Sequence, residues 1–456
     1  MAHLDLLKGC ELHIHTGGGL YADDLLELGK DFYKEINWEL FIKGFEETFG
    51  VRPDPIELYE DALHGGESGR QRFLHHYVYG HADAGDFARF QAKFNFLICV
   101  YRHWRQELQR EDEVLRQVVE RHRREGIDYI EYRGMASIGP DEPEAFIAYH
   151  RRHAQTLRNA SGNGMTARYA ISLPRWAPLE SYNLVLQLLE ESPELQSTIV
   201  GVDFCFFEEG YPPSTVKPFF EKLAQENQQH PERALEVLYH VGESFFDKSL
   251  ESAVRWCHDI AEMGARRLGH AIALGLDPTV AVARRPHAHE TELVSERLAQ
   301  IEYDVVHRDA LTAYGIPIRA SALEREWEQL QHRAPSDTVT RPYSPERLHQ
   351  VRRRQDYALD CLTKLGTVIE TCPTSNLRIG GVPSPAHHPV HRFLRSGINL
   401  AIGADDPGIL NSPLSEEVDW VLDQTHLSAG ELVDRLGDPR RFRLGTHRPG
   451  AGGSGG

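Results

Sequence analysis

Histidines and carboxylates at four points of the chain are the residues best suited to chemistry. The first point is Glu11-Leu12-His13-Ile14-His15-Thr16-Gly17-Gly18-Gly19. Alternate side chains of an extended strand share a face, so His13 and His15 point the same way. Three further points follow: His240-Val241-Gly242-Glu243, Leu268-Gly269-His270 and Asp405-Asp406-Pro407. Three neutral imidazoles (His13, His15, His240) and the carboxylate of Asp405 make an N3O donor set. It suits one Zn2+ per chain with a position open for water. Zinc lowers the pKa of bound water towards neutrality. Glu243, three residues after His240, is placed to carry protons, and His270 and Asp405 to orient or deprotonate the water. Each motif also has a plainer reading. A strand-end His is commonly a hydrogen-bonded polar residue, Glu243 could complement a helix N-terminus, and Asp405-Asp406-Pro407 could be a turn. H-x-H itself recurs at His287-x-His289. The ordered set, at four of eight strand ends, is not what turn chemistry produces.

The elements that must position these residues are short apolar runs. Eight occur, at 11–16, 129–133, 166–173, 199–206, 237–241, 267–272, 367–372 and 398–402, each followed by a polar or glycine-bearing corner. Between most of them lie stretches with apolar spacing near 3.6 ended by glycine, as in Val114, Leu115, Val118 and Val119 before Gly126. Leu250, Val254, Cys257 and Ile260 before Gly264 repeat the pattern, and Val390, Phe393 and Leu394 before Gly397 make a shorter example. Strands alternating with helices predict an α/β fold, a (β/α)8 TIM barrel with helical insertions, whose chemistry sits at the strand C-terminal ends. On pattern alone a doubly wound sheet is the alternative.

Two connections exceed a bare barrel. Residues 17–127 hold several helices and a Pro/Gly-punctuated stretch, Val51 to Gly85, suited to a lid or cap. Residues 277–357, rich in Arg, Glu, His and Gln, read as an inserted helical hairpin or loop domain that could serve homo-oligomer contacts, or as a solvated excursion. The expectation is one domain over 1–436 and a disordered tail over 437–456, which ends in a linker-like run from Pro449 to Gly456. Fifty basic against sixty-eight acidic residues give a net charge of −18, which argues against a general nucleic-acid or anionic-membrane binder. No run of eighteen apolar residues exists, the first residues lack the regions of a signal peptide, and the six cysteines form no C-x-x-C. A soluble cytoplasmic protein with a small substrate is expected.

The motifs H-x-H, H-x-G-E, G-H and D-D-P, in this order, resemble the adenosine deaminase family of zinc amidohydrolases. Phe87 to Phe94, Glu370 to Asn376 and Ile409 to Ser415 are also similar to that family. The likeness runs from Glu11 to Leu436, interrupted by the 277–357 insertion. It implies zinc-dependent removal of the 6-amino group of an adenine nucleoside or nucleoside 5′-monophosphate, with release of ammonia. It implies zinc ligands His13, His15, His240 and Asp405, Glu243 as proton donor to a purine ring nitrogen, and His270 holding or activating the water. Asp406 would hydrogen-bond another ring nitrogen. Relatives with two metals bridge them through a Lys or Glu of the fourth strand; Val202-Asp203-Phe204-Cys205-Phe206-Phe207 offers neither, which points to one metal.

Two positions depart from the family. Where adenosine-specific members resemble H-x-H-L-D-G, with an acid that contacts the ribose, Gly17 stands at the acid's position. Where members tend to carry glycine after the fourth strand, Phe206 stands. The lost acid and the added N–H donors suggest a 5′-phosphorylated purine with Thr16, Gly17 and Gly18 in an anion nest; the alternative is a permissive turn. Phe206 would favour an N6-alkyl purine by reshaping the pocket. A reading from another class is a zinc-stabilised assembly protein, which would need neither Glu243 nor His270.

Overall fold

The computed structural model describes residues 3–446 except 86, 137, 163 and 286–288, together with residue 448. His287 and residues 449–456 therefore lie outside the described residues. Eight strands form one parallel sheet: β1 (Cys10–His15), β2 (Tyr129–Met135), β3 (Thr166–Ser172), β4 (Ile199–Phe204), β5 (Glu236–Val241), β6 (Ala265–His270), β9 (Val368–Thr371) and β10 (Asn399–Ile402), paired in that order. They coincide with the eight runs expected from sequence. Nearly every strand residue is buried, as parallel strands covered on both faces must be. The barrel closes just beyond β10, where Ile14 and Asp405 form a parallel bridge. All eight strands therefore deliver their C-terminal ends to one mouth.

The helical patterns hold. Glu111–Arg124 buries Val114, Leu115, Val118 and Val119. Leu250–Met263 starts at Ser249, whose hydroxyl accepts the Ser252 N–H, and ends at Gly264 with φ of 114°. The stretch expected to form a lid folds as two helices, Pro55–His64 and Gly66–Tyr77, and of it only Gly85 reaches the cavity at the mouth. The wall there is built by the next helix, Phe87–Gln106, whose aromatic side chains cover more apolar surface than the Gly/Pro-rich segment could.

The insertion is not all helix. With helices Val294–Val306, Arg308–Ala313 and Ala320–Leu330 it carries an antiparallel pair, β7 (His289–Leu293) and β8 (Thr338–Pro342). Hydrophobic alternation could not reveal β7, because its inward residues are Glu290 and Glu292 while His289, Thr291 and Leu293 face out. The buried acids are matched by Arg341 and Arg347, and Arg347 also pairs with Glu251 of the barrel helix at 2.7 Å.

Order also continues past 436, contrary to the expected tail. Pro439–Phe442 forms a helical turn. Phe442 packs with Cys10, Leu12, Tyr129 and Val368, and Leu444 with Ala170, Val200 and Leu238. Two apolar side chains in a polar, Gly-rich segment are thus spent on plugging the opposite end of the barrel. No described helix is long and apolar enough to cross a membrane.

Candidate active site

The mouth of the barrel gathers the predicted residues. His13 and His15 extend from the end of β1, His240 from β5 and His270 from the end of β6, and Asp405 follows β10. Asp405 Oδ1 lies 3.2 Å from His13 Nε2 and 3.3 Å from His15 Nε2, and His15 Nε2 lies 3.3 Å from His240 Nε2. Donors about 2.0–2.1 Å from one ion at tetrahedral angles stand roughly 3.3–3.4 Å apart, the spacing of these three pairs. His270 is close enough to belong to the same cluster, but its Nε2 stands 3.9 Å from Asp405 and 3.6 Å from Glu243.

Buried partners orient each imidazole through its other nitrogen. His240 Nδ1 donates to Asp203 at 3.1 Å, and His13 Nδ1 lies 3.0 Å from Glu370. Both rings turn Nε2 towards the cluster, as metal-binding histidines do, His13 Nε2 lying 3.3 Å from Arg133 Nη1 and His240 Nε2 3.3 Å from His15 Nε2. His270 Nδ1 donates to Asn376 Oδ1 at 2.8 Å, which turns its Nε2 lone pair towards Glu243 and the ion position. Arg133 of β2 pairs with Glu370 and stands 3.6 Å from Asp203, and Arg267 reaches Glu370 at 2.8 Å. The two guanidinium groups neutralise carboxylates that would otherwise be buried with unopposed charge. Burial raises the Glu370 pKa, but Arg133, Arg267 and His13 outweigh it and hold the carboxyl well below its usual range.

Asp203, Glu370, Arg133 and Asn376 were given no role from sequence. The signal that could have found the first three is period two. Glu131-x-Arg133, Asp203 and Glu370 all project into the barrel interior, but only strand register shows which of them meet.

Glu243 follows Gly242, whose φ of 68° is left-handed and whose added Cβ would lie 2.8 Å from Cys257 Sγ. The Gly242 N–H donates to the buried Glu208 at 2.7 Å, which fixes the turn that presents Glu243. Burial, then Asp405 and Glu209, push the Glu243 carboxyl up, against the pull of His270. Burial and Asp405 push Asp406 up to about 7. The Asp406 shift favours a carboxyl that can hold a proton near neutral pH, and the Glu243 shift runs in the same direction.

The substrate-side expectations fare differently. His15, Thr16, Gly17, Phe206 and Asp406 all line a cavity of about 1290 Å3; Gly18 does not. None of Gly17, Gly18 and Gly19 has a positive φ, so they lack the alternating left-handed conformation of a nest, and the Thr16 N–H is spent on Arg133 O at 2.8 Å. Their smallness has another use: a Cβ on Gly18 would lie 1.7 Å from Asp406 Oδ1. Phe206 keeps φ of 73°, the conformation a glycine would adopt there, and its ring projects into the mouth beside Trp176 and Phe207. His270, Ala271 and Asp405 are left-handed as well. Such backbone costs on the order of 1–3 kcal/mol per residue and gathers at functional sites.

Comparison with known proteins agrees with this geometry. Residues 342–436 match the family model described as adenosine deaminase. An adenine deaminase of Rhizobium leguminosarum bv. trifolii is 36% identical over 90 residues, 19% of this chain and 28% of that protein, so the match spans little more than a quarter of the relative. Among solved structures, an Arabidopsis N6-mAMP deaminase is similar with TM-score 0.53 and 15% identity, covering 97% of this chain and 95% of the other. An amidohydrolase from Burkholderia ambifaria with bound Zn gives TM-score 0.55 and 12% identity, covering 97% of this chain and 87% of the other. With its barrel, its matched C-terminal segment 342–436 and its strand-end motifs in family order, the chain is similar to the adenosine deaminase family.

Proposed function

We propose that the protein is a zinc-dependent hydrolytic deaminase acting on the 6-amino group of an adenine-type nucleoside or nucleoside 5′-monophosphate. One observation carries the reading: the convergence of His13, His15, His240 and Asp405, with separations of 3.2–3.3 Å between Asp405 and His13, Asp405 and His15, and His15 and His240, beside Glu243 and His270 3.6 Å apart. A metal-binding scaffold has no use for that second pair.

His13, His15, His240 and Asp405 would hold the ion, which supplies Lewis acidity that makes water nucleophilic near neutral pH. His270, held by Asn376, presents Nε2 to accept a proton from the attacking water. Glu243 delivers a proton to the ring nitrogen next to the reacting carbon, which makes that carbon a better electrophile. Asp406 hydrogen-bonds a second ring nitrogen and fixes the ring plane. The water oxygen bonds to carbon 6, the proton taken up by His270 passes to the amine, the carbon–nitrogen bond breaks to release ammonia, and the proton of the added hydroxyl returns to Glu243.

A second reading is favoured by the mouth. A volume of about 1290 Å3 exceeds the roughly 300–1,000 Å3 of ordinary ligand pockets, and Trp176, Phe206 and Phe207 form an aromatic wall. An N6-substituted purine would use both. Ammonia or alkylamine release measured across adenine, adenosine, AMP and N6-methyl-AMP, with metal content alongside, tests both readings. Turnover of none of them by zinc-loaded protein would overturn the deaminase assignment.

A further inference from the structure

Among the described residues one other cluster has the composition of a metal site, and it lies outside the barrel mouth. His258 and Glu262 stand one turn apart on the helix Leu250–Met263, and His307 follows the helix Val294–Val306 of the insertion. One donor atom from each lies within 4.8 Å of the other two. His258 Nε2 is 3.5 Å from Glu262 Oε1, and the two imidazole rings are 5.4 Å apart.

The surroundings are built as they are around metal-binding histidines. His258 Nδ1 is 2.7 Å from the Tyr303 hydroxyl and His307 Nδ1 is 2.9 Å from the Tyr357 hydroxyl. Where each phenol oxygen accepts from Nδ1–H, the ring is anchored and would offer Nε2 to an ion. His258 is buried and Glu262 is half exposed, so the cluster is fixed from within and open to solvent at one edge. The 3.5 Å between His258 Nε2 and Glu262 Oε1 is close to the roughly 3.3–3.4 Å that separates two donors on one zinc ion.

We propose that His258, Glu262 and His307 form a second, peripheral site for a borderline divalent cation of the zinc class, completed by solvent. Two imidazoles and one carboxylate select Zn2+, Co2+, Ni2+ or Cu2+ over Mg2+ and Ca2+. Its ligands come from the barrel helix and from the insertion, so the ion staples residues 277–357 to the barrel. Along the same interface Arg347 with Glu251 and Arg255 with Glu296 already make ionic contacts.

The test compares the full chain with Glu262→Gln and His307→Ala after equilibration with micromolar Zn2+ and removal of the free ion. Wild type should retain one more zinc per chain than either variant, and its Tm should rise with Zn2+ to a greater extent. Equal zinc content and equal Zn2+-dependent Tm in wild type and Glu262→Gln would overturn the proposal, as would retention of Mg2+ in place of Zn2+. Glu262 is half exposed, so its substitution leaves the fold intact. The result is a difference between chains with the same barrel-mouth residues, so it stands whether or not the deaminase reading holds.

Discussion

Asp405 joins the closure of the barrel to its candidate metal site. Its backbone N–H donates to His13 O at 2.8 Å and its carbonyl accepts the His15 N–H at 3.0 Å, while its side-chain Oδ1 sits 3.2 Å from His13 Nε2 and 3.3 Å from His15 Nε2. The residue that closes the last gap in the sheet thus completes the donor set. Its left-handed φ of 63° lets one residue do both, because it turns the chain out of the strand direction while the side chain stays over the mouth.

Replacing Glu243 separates catalysis from metal binding. Glu243→Gln keeps size and hydrogen-bonding capacity but carries no proton, so turnover should fall by about 10²–10⁴-fold. Zinc content, measured on the same preparation, should be unchanged. A variant that keeps wild-type turnover would remove Glu243 from the chemistry.

Asp203 acts through His240. Asp203→Asn loses the charge that fixes the ring with Nε2 outward, and zinc affinity should drop by about 10–100-fold. Competition with a chelator reads the change directly. Unaltered affinity would mean that the 3.1 Å contact is merely structural.

Phe206 pays for its place in backbone strain. It is 49% exposed, so Phe206→Gly gives up little packing while relieving a left-handed conformation. Against a larger loss of chain entropy, the variant should be as stable as wild type or up to about 1 kcal/mol more stable in urea. Its kcat/KM should change most for N6-substituted purines. Clear destabilisation would show that the ring is held by packing rather than tolerated for function.

Glu417 predicts a pH effect remote from the metal. It accepts hydrogen bonds from the Thr374 N–H at 2.8 Å and the Ser412 hydroxyl at 2.5 Å, and burial pushes its carboxyl up to about 7. A carboxyl raised above its unfolded value favours the folded state while protonated. That contribution is whole below about pH 4.5 and is lost as pH rises to about 7. Glu417→Gln does not titrate, so its Tm relative to wild type should climb between pH 4.5 and 7 and then level off. A difference that ignores pH would sink this account.

The sequence by itself determined the eight strands, their alternation with helices and the strand-end residues of the mouth. Parallel strands buried on both faces are written as apolar runs, and metal and proton chemistry accepts few residue types, so both are local in the chain. Tertiary structure decided what depends on neighbours distant in sequence. The pairing of Asp203 with His240 across 37 positions is such a case, as is that of Asn376 with His270 across 106. Strand β7 was invisible because its buried face is acidic and becomes tolerable only where Arg341 and Arg347 arrive from elsewhere. The glycines after His15 and the phenylalanine after β4 were legible as departures from a pattern. Their physical sense, clearance for Asp406 and a glycine-like φ kept by a bulky ring, required backbone angles and close approaches that composition does not encode.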